Sequence, residues 1–169
     1  MYILGDIGNS ETKVFLVDTN YKIIRNINFP SKGINKKVLN ANLKILIKDF
    51  KKIKKVLFCS VVPKSYDLIK KFLFKKTECK CYEIKDLNLK SLINLNVNYK
   101  QAGSDRITNA ISLLDNKNNY IILDFGTATT FDVLIKRTYR GGVIAPGIKI
   151  SLNTLSDKAT LIPKINLKK

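Results

Sequence analysis

The chain of 169 residues contains no histidine and no tryptophan, one methionine, and only three cysteines and four prolines. Without histidine there is no imidazole base and no His-ligated metal, and a zinc site would need carboxylates that no spacing motif supplies. Of the cysteines, only Cys79 and Cys81 are close, and one intervening residue on a strand sends their side chains to opposite faces. Together with Cys59 they read as small, reduced, mostly buried residues. No apolar run approaches the roughly 18 residues of a membrane span, and the first residues lack the basic, apolar and small-residue sections of a secretory signal. A soluble, cytoplasmic protein with no membrane partner is therefore expected. Arginine is scarce as well, occurring at Arg25, Arg106, Arg137 and Arg140, although the net charge is +18. Such a balance can mark nucleic-acid binding, because neutralised phosphates release counterions. Arginine, however, is the side chain suited to bidentate base and phosphate recognition, and no aromatic-basic interleaving is present. The lysines are spread along the chain, so they read as solvated faces whose field gathers anionic ligands. No nucleic-acid partner is expected. Neither G-x-x-x-x-G-K-[ST] nor G-x-G-x-x-G occurs, which leaves the P-loop and dinucleotide-binding folds unsupported.

What is present is a chain 45% hydrophobic, long enough to bury a core. Its start reads as three strands, Tyr2 to Asp6, Thr12 to Asp18 and Lys22 to Phe29, before Pro30, Ser31 and Gly33 break the sheet. Leu39, Leu43, Leu46, Ile47 and Phe50 recur at helical spacing, predicting an amphipathic helix from Lys36 to about Lys52. A buried strand from Lys55 to Val62 closes at Pro63, Ser65 caps a helix through about Lys75, and Cys79 to Ile84 is a further strand. Asp86 to Gln101 is polar, Asn-rich and aperiodic, and reads as a link between two halves, 1–102 and 103–169. Ser104 or Asp105 opens a helix reaching about Asp115 to Asn119. The opening pattern then returns as strands Tyr120 to Asp124, Thr129 to Lys136 and Tyr139 to Ile144, followed by a helix from about Ile148 to Lys158.

The repeat carries the chemistry. Ile3 to Asn9 and Ile122 to Thr127 share one plan: a buried strand delivers an aspartate to its end, a glycine turn follows, and a second strand returns. Such a turn exposes backbone N–H groups and lets the backbone approach a phosphate. Ser10, Thr12, Thr127, Thr129 and Thr130 add hydroxyls, Lys13 adds a cation, and Asp6 and Asp124 can orient Mg²⁺ or another cation between phosphates. Either turn alone is more simply a hairpin with a capping aspartate; two in matching lobes point to a nucleotide cleft. This pair of hairpins resembles the phosphate-binding motifs of the sugar kinase, hsp70 and actin superfamily.

Within that superfamily the resemblance narrows. DIGNSETK at Asp6 to Lys13, SVVP at Ser60 to Pro63, GSDR at Gly103 to Arg106, DFGTATTFDV at Asp124 to Val133 and GGVIAPGI at Gly141 to Ile148 resemble, in that order, the type III pantothenate kinases. The resemblance implies an α/β fold of duplicated ribonuclease H-like (actin-like ATPase) lobes. It also implies ATP-dependent phosphorylation of pantothenate to 4′-phosphopantothenate, the first step of coenzyme A synthesis. Asp6, Ile7, Gly8, Asn9, Ser10, Glu11, Thr12 and Lys13 match the family's ATP-binding segment, and Thr127 also matches an ATP contact. Asp124 matches the ligand of a monovalent cation, K⁺ or NH₄⁺, needed beside Mg²⁺. Gly103, Ser104, Asp105 and Arg106 match the pantothenate-binding segment, with Asp105 as proton acceptor. By sequence physics alone an aspartate at a helix start is a cap; the motif reverses that preference, and the helix end favours its ionised form.

The chain departs from the family pattern at four positions and at its end. Ser10 and Ser104 replace a common Thr and a common Ala, and Asn96 and Tyr99 stand where the family usually has Tyr and Pro before the GSDR glycine. Family chains also continue well beyond Pro163, so the second lobe is expected to be incomplete, with a bare sheet edge that a homodimer or another chain would cover. Two alternatives stay open: a non-catalytic, regulatory nucleotide binder like the Bvg accessory factors, or an inactive fragment.

Overall fold

A computed structural model of the chain describes residues 1–159 and 163. It divides into two compact units, Met1–Leu89 with Gly103–Thr108, and Lys90–Ala102 with the residues from Asn109 onward.

In the first unit, β1 (Tyr2–Ile7), β2 (Glu11–Val17), β3 (Ile23–Pro30), β4 (Lys55–Ser60) and β5 (Cys81–Glu83) form one sheet in the order β3-β2-β1-β4-β5. The first three strands are an antiparallel meander, whereas β4 and β5 run parallel to β1. Strand alternation places Ile3, Gly5 and Ile7 on one face of β1, and the register aligns them with Leu16, Val14 and Thr12 of β2. Ile3, Ile7 and Val14 are fully buried there, in one cluster with Val56 and Phe58 of β4. The helices α1 (Lys36–Leu46) and α2 (Pro63–Thr77) supply the rest of this cluster through Leu39, Leu43, Leu46, Ile69 and Leu73. Each such side chain contributes about 1.5–3 kcal/mol by leaving water. The Phe58 ring occupies the place a Cβ on Gly5 would take, so β1 and β4 interlock at that rung.

Two helix boundaries differ from the sequence expectation. α1 ends at Leu46 rather than near Lys52: the chain turns extended at Ile47, which is buried beside Leu46. Asp49 then caps a separate 3-10 turn, Phe50–Lys52, by accepting the Lys51 N–H at 3.0 Å. α2 begins at Pro63, not at a Ser65 cap, because proline at the first helical position has the right φ and no N–H to satisfy. Ser65 lies buried inside the first turn.

In the second unit, β7 (Asn119–Phe125), β8 (Ala128–Ile135) and β9 (Thr138–Pro146) form a second antiparallel meander, repeating the arrangement of β1 to β3. β6 (Asn94–Leu95) pairs with Thr138 and Tyr139 of β9, completing a four-stranded sheet in the order β6-β9-β8-β7. That strand corrects the expectation of a structureless link: Ile93 is 1% exposed, and the Arg137 guanidinium donates to the Leu92 carbonyl and, at 2.8 Å, to the Ser91 carbonyl. α4 (Ile148–Lys158) follows β9. One face of this sheet is bare, with Ile121, Leu123, Phe125, Phe131 and Val143 all exposed on matching rungs, as expected of an incomplete second lobe. α3 (Ser104–Ser112) has its first residues in the first unit and its last in the second. It is shorter than the sequence suggested. No described helix is long and apolar enough to cross a membrane.

Candidate functional site

The first glycine turn joins β1 to β2. Its closing bond runs from the Gly8 N–H to the Glu11 carbonyl at 3.0 Å, with Asn9 and Ser10 exposed at the tip. The Ser31 N–H donates to the Ser10 carbonyl at 3.0 Å, and Asn28 Nδ2 donates to Glu11 Oε1 at 2.7 Å, so β3 braces the turn. Ile7 and Thr12 point into the core; the Thr12 hydroxyl meets that of Ser31 at 2.8 Å. These two side chains hold the hairpin in place, leaving the tip's backbone and Ser10, together with Asp6 and Lys13, on its accessible side.

Asp6 lies on the opposite face from Gly5, flanked in register by Lys13 of β2 and Cys59 of β4. Cys59 Sγ donates to Asp6 Oδ1 at 3.4 Å. Burial pushes the Cys59 thiol far above its ordinary range, with the Asp6 charge and the bond to Asp6 adding to the shift. The Thr108 hydroxyl, which donates to the Ser104 carbonyl at 2.7 Å, also lies within hydrogen-bonding reach of this thiol and pulls the other way, while the Asp105 charge raises it further. Cys59 thus stands among Asp6, Thr108 and Asp105 within the first unit. Sequence reasoning read it, with the other two cysteines, only as small, reduced and mostly buried. Cys81 fits that description better: its buried thiol is pushed up to about 11, chiefly by burial. All three cysteines are free.

Asp105 sits in the first turn of α3. The Gly103 carbonyl accepts the Ile107 N–H at 3.2 Å, which makes Gly103 the cap, and the Arg106 N–H meets Asp105 Oδ1 at 2.8 Å. A Cβ on Gly103 would collide with this carboxylate, so glycine leaves the space in which Asp105 folds back. Ser104 is 3% exposed and Ile107 fully buried, anchoring the turn.

The second glycine turn joins β7 to β8, closed by the Gly126 N–H on the Ala128 carbonyl at 2.9 Å. Gly147, just beyond β9, donates its N–H to the Thr127 carbonyl at 3.1 Å, and a Cβ there would collide with the carbonyls of Gly126 and Thr127. The APG segment therefore braces the DFGT turn by direct backbone contact. Asp124 is the next-to-last residue of β7, with Oδ2 accepting from Asn109 Nδ2 at 3.1 Å. Its cross-strand partner Thr130 has a buried Oγ1 without a hydrogen-bond partner. An exposed carboxylate beside an unsatisfied hydroxyl offers oxygen donors, which suit a hard cation better than zinc. Among the described residues no cluster of three or more Cys, Asp or Glu side chains could hold a metal by themselves. Thr130 was among the hydroxyls read from the sequence, whereas Asn109 was not singled out; an Asn in mid-helix was the available signal for it.

With this geometry established, comparison with known proteins is informative. A family model described as type III pantothenate kinase matches residues 2–169. A type III pantothenate kinase of Pelagibacter ubique is 60% identical over 169 residues, spanning all of this chain and 68% of the relative. One from Syntrophotalea carbinolica is 32% identical, over 99% of this chain and 68% of the relative. Among solved structures, a conserved Baf family protein from Campylobacter jejuni superposes with a TM-score of 0.51 at 20% identity, over 99% of this chain and 68% of that one, a likeness of fold.

Proposed function

As the chain belongs to the type III pantothenate kinase family, we propose that its first hairpin binds ATP, that Asp105 accepts the proton of the reacting alcohol, and that Asp124 holds a monovalent cation. The reaction is the ATP-dependent phosphorylation of pantothenate to 4′-phosphopantothenate, the entry to coenzyme A synthesis. The observation that carries the residue assignment is the Cys59 neighbourhood, which gathers Asp6 of the glycine hairpin and Asp105 of the GSDR helix start in one compact unit.

In this reading the exposed tip residues Asn9 and Ser10, beside the Gly8 turn, offer donors to the phosphates, and Lys13 and Asp6 flank them. Glu11 and Thr12 serve by fixing the turn. Thr127, exposed beside Gly126, contacts ATP from the second hairpin's own turn. The segment Gly103 to Arg106 receives pantothenate, with Arg106 as the cation facing its carboxylate. The Asp105 carboxylate takes the proton from the primary hydroxyl as that oxygen bonds to the γ-phosphorus and the bond to the ADP oxygen breaks. A positioned base of this kind contributes about 10²- to 10⁴-fold. Mg²⁺, when bound with ATP, neutralises charge on the phosphates. Asp124, with Thr130 beside it, suits K⁺ or NH₄⁺. The same reading has the enzyme work in the cytoplasm as a homodimer, with the bare apolar face of the second sheet in favour of a covering partner.

The test is ADP release by the purified protein given ATP, Mg²⁺, K⁺ and pantothenate. Release that depends on pantothenate and is stronger in K⁺ than in Na⁺ supports the reading. ATP binding without pantothenate-dependent release would favour a non-catalytic nucleotide binder.

A further inference from the structure

We infer that Cys59 is a positioning residue for the Asp6 carboxylate, its thiol holding Oδ1 so that the remaining oxygen stays directed to the bound nucleotide. The inference rests on the reading of Asp6 as a nucleotide-binding carboxylate. The torsion that turns an aspartate carboxylate is broad, so a strand-end aspartate acquires a fixed direction only from a partner. Asp6 and Cys59 are Cα partners across the parallel β1–β4 pair, and partners on adjacent strands share a face. That face is set by the neighbouring rung, where the Phe58 ring fills the space over Gly5 and prevents the two strands from slipping. The S···O separation of 3.4 Å is a hydrogen-bonding one. Thr108 bounds the thiol on the α3 side, and its own hydroxyl is tied to Ser104 at 2.7 Å, so the thiol is confined between the sheet and the helix that carries Asp105. A thiol is a weak donor. It orients the carboxylate while leaving most of its charge for cation and phosphate, which a strong donor such as lysine would neutralise.

The test is steady-state kinetics of Cys59→Ala, Cys59→Ser and Asp6→Asn, singly and combined, with nucleotide affinity measured separately by calorimetry. Cys59→Ala is expected to lower kcat/KM for ATP about threefold to tenfold, the scale of one modest hydrogen bond, with KM for pantothenate unchanged. Cys59→Ser keeps a donor and should recover activity to within about twofold of wild type. In the Asp6→Asn background, Cys59→Ala should cost nothing further, because the group it positions is gone. Should Cys59→Ala fail to fold, Cys59→Val, which fills the site without a donor, takes its place beside Cys59→Ser. A serine variant as poor as alanine, or a loss that multiplies unchanged onto Asp6→Asn, overturns the inference while leaving the role of Asp6 intact. If Asp6→Asn itself keeps wild-type ATP affinity and turnover, the reading of Asp6 fails, and the inference with it.

Discussion

Replacing Gly103 with alanine is expected to lower turnover without unfolding the protein. A Cβ built at Gly103 overlaps Asp105 Oδ1, but the next atoms, Asp105 Cγ and Arg106 Cδ, lie at 3.5 and 3.8 Å, ordinary contact distances. The backbone there is outside the left-handed region, so alanine is sterically allowed apart from the carboxylate, which must swing away. Two small terms act on stability. Removing a glycine's unfolded-state freedom favours the variant by about 0.4–1 kcal/mol. Losing the 2.8 Å contact between the Arg106 N–H and Asp105 Oδ1 costs about 1 kcal/mol. They offset, and the melting temperature should move by less than about 4 °C. Catalysis has no such compensation: displacing a base by roughly 1 Å is enough to cost about 100-fold in kcat. Coupled ADP-release kinetics beside a thermal melt separates the two. A kcat within about threefold of wild type would refute the placement of the base, and a melt lowered by more than about 8 °C would show that Gly103 serves the fold.

Tyr139→Phe removes the donor of a 2.6 Å bond to Asp132, and both side chains are 1% exposed. A bond to a buried carboxylate is worth about 1.5–3 kcal/mol, so the melt should fall by roughly 3–12 °C, and an unchanged melt would contradict this. At the protein surface, Asp115 accepts from the Tyr120 hydroxyl at 2.6 Å and from the Lys117 and Asn118 N–H groups, and these bonds, Tyr120 first, hold its carboxyl well below the usual carboxylate range. With the folded pKa depressed, the contribution is complete above the unfolded aspartate value and fades as pH falls below about 4. Melts of wild type and Tyr120→Phe should therefore differ at neutral pH and converge in acid; a gap independent of pH would exclude the bond as its source.

The two glycine hairpins and the start of α3 were legible in the sequence because their signals are local. Short apolar runs mark β1 and β7, glycine marks each turn, and Gly103 with Ser104 and Asp105 marks a helix start. What escaped depends on residues distant in sequence. The inward direction of the Thr12 hydroxyl follows from its pairing with Ile7 and its contact with Ser31. The role of Cys59 depends on the β1–β4 register, 53 residues apart, and no periodicity within either strand reports it. Likewise β6 exists only because Asn94 and Leu95 find Thr138 and Tyr139; as an isolated stretch it is an Asn-rich loop. The bracing of the DFGT turn by Gly147 joins two motifs that the sequence shows only as separate glycines. The early end of α1 was missed for another reason: the helical period of its apolar residues continues past Leu46, whereas the backbone itself turns extended at Ile47.

The most direct test of the central assignment is the turnover of Asp105→Asn, measured with saturating ATP, Mg²⁺, K⁺ and pantothenate, alongside its affinity for ATP. The amide is the same size and cannot accept the alcohol's proton as a carboxylate does, so kcat should fall by about 10²- to 10⁴-fold while ATP affinity is retained. Wild-type turnover in Asp105→Asn would contradict the account, because a helix-capping aspartate would then be all that Asp105 provides.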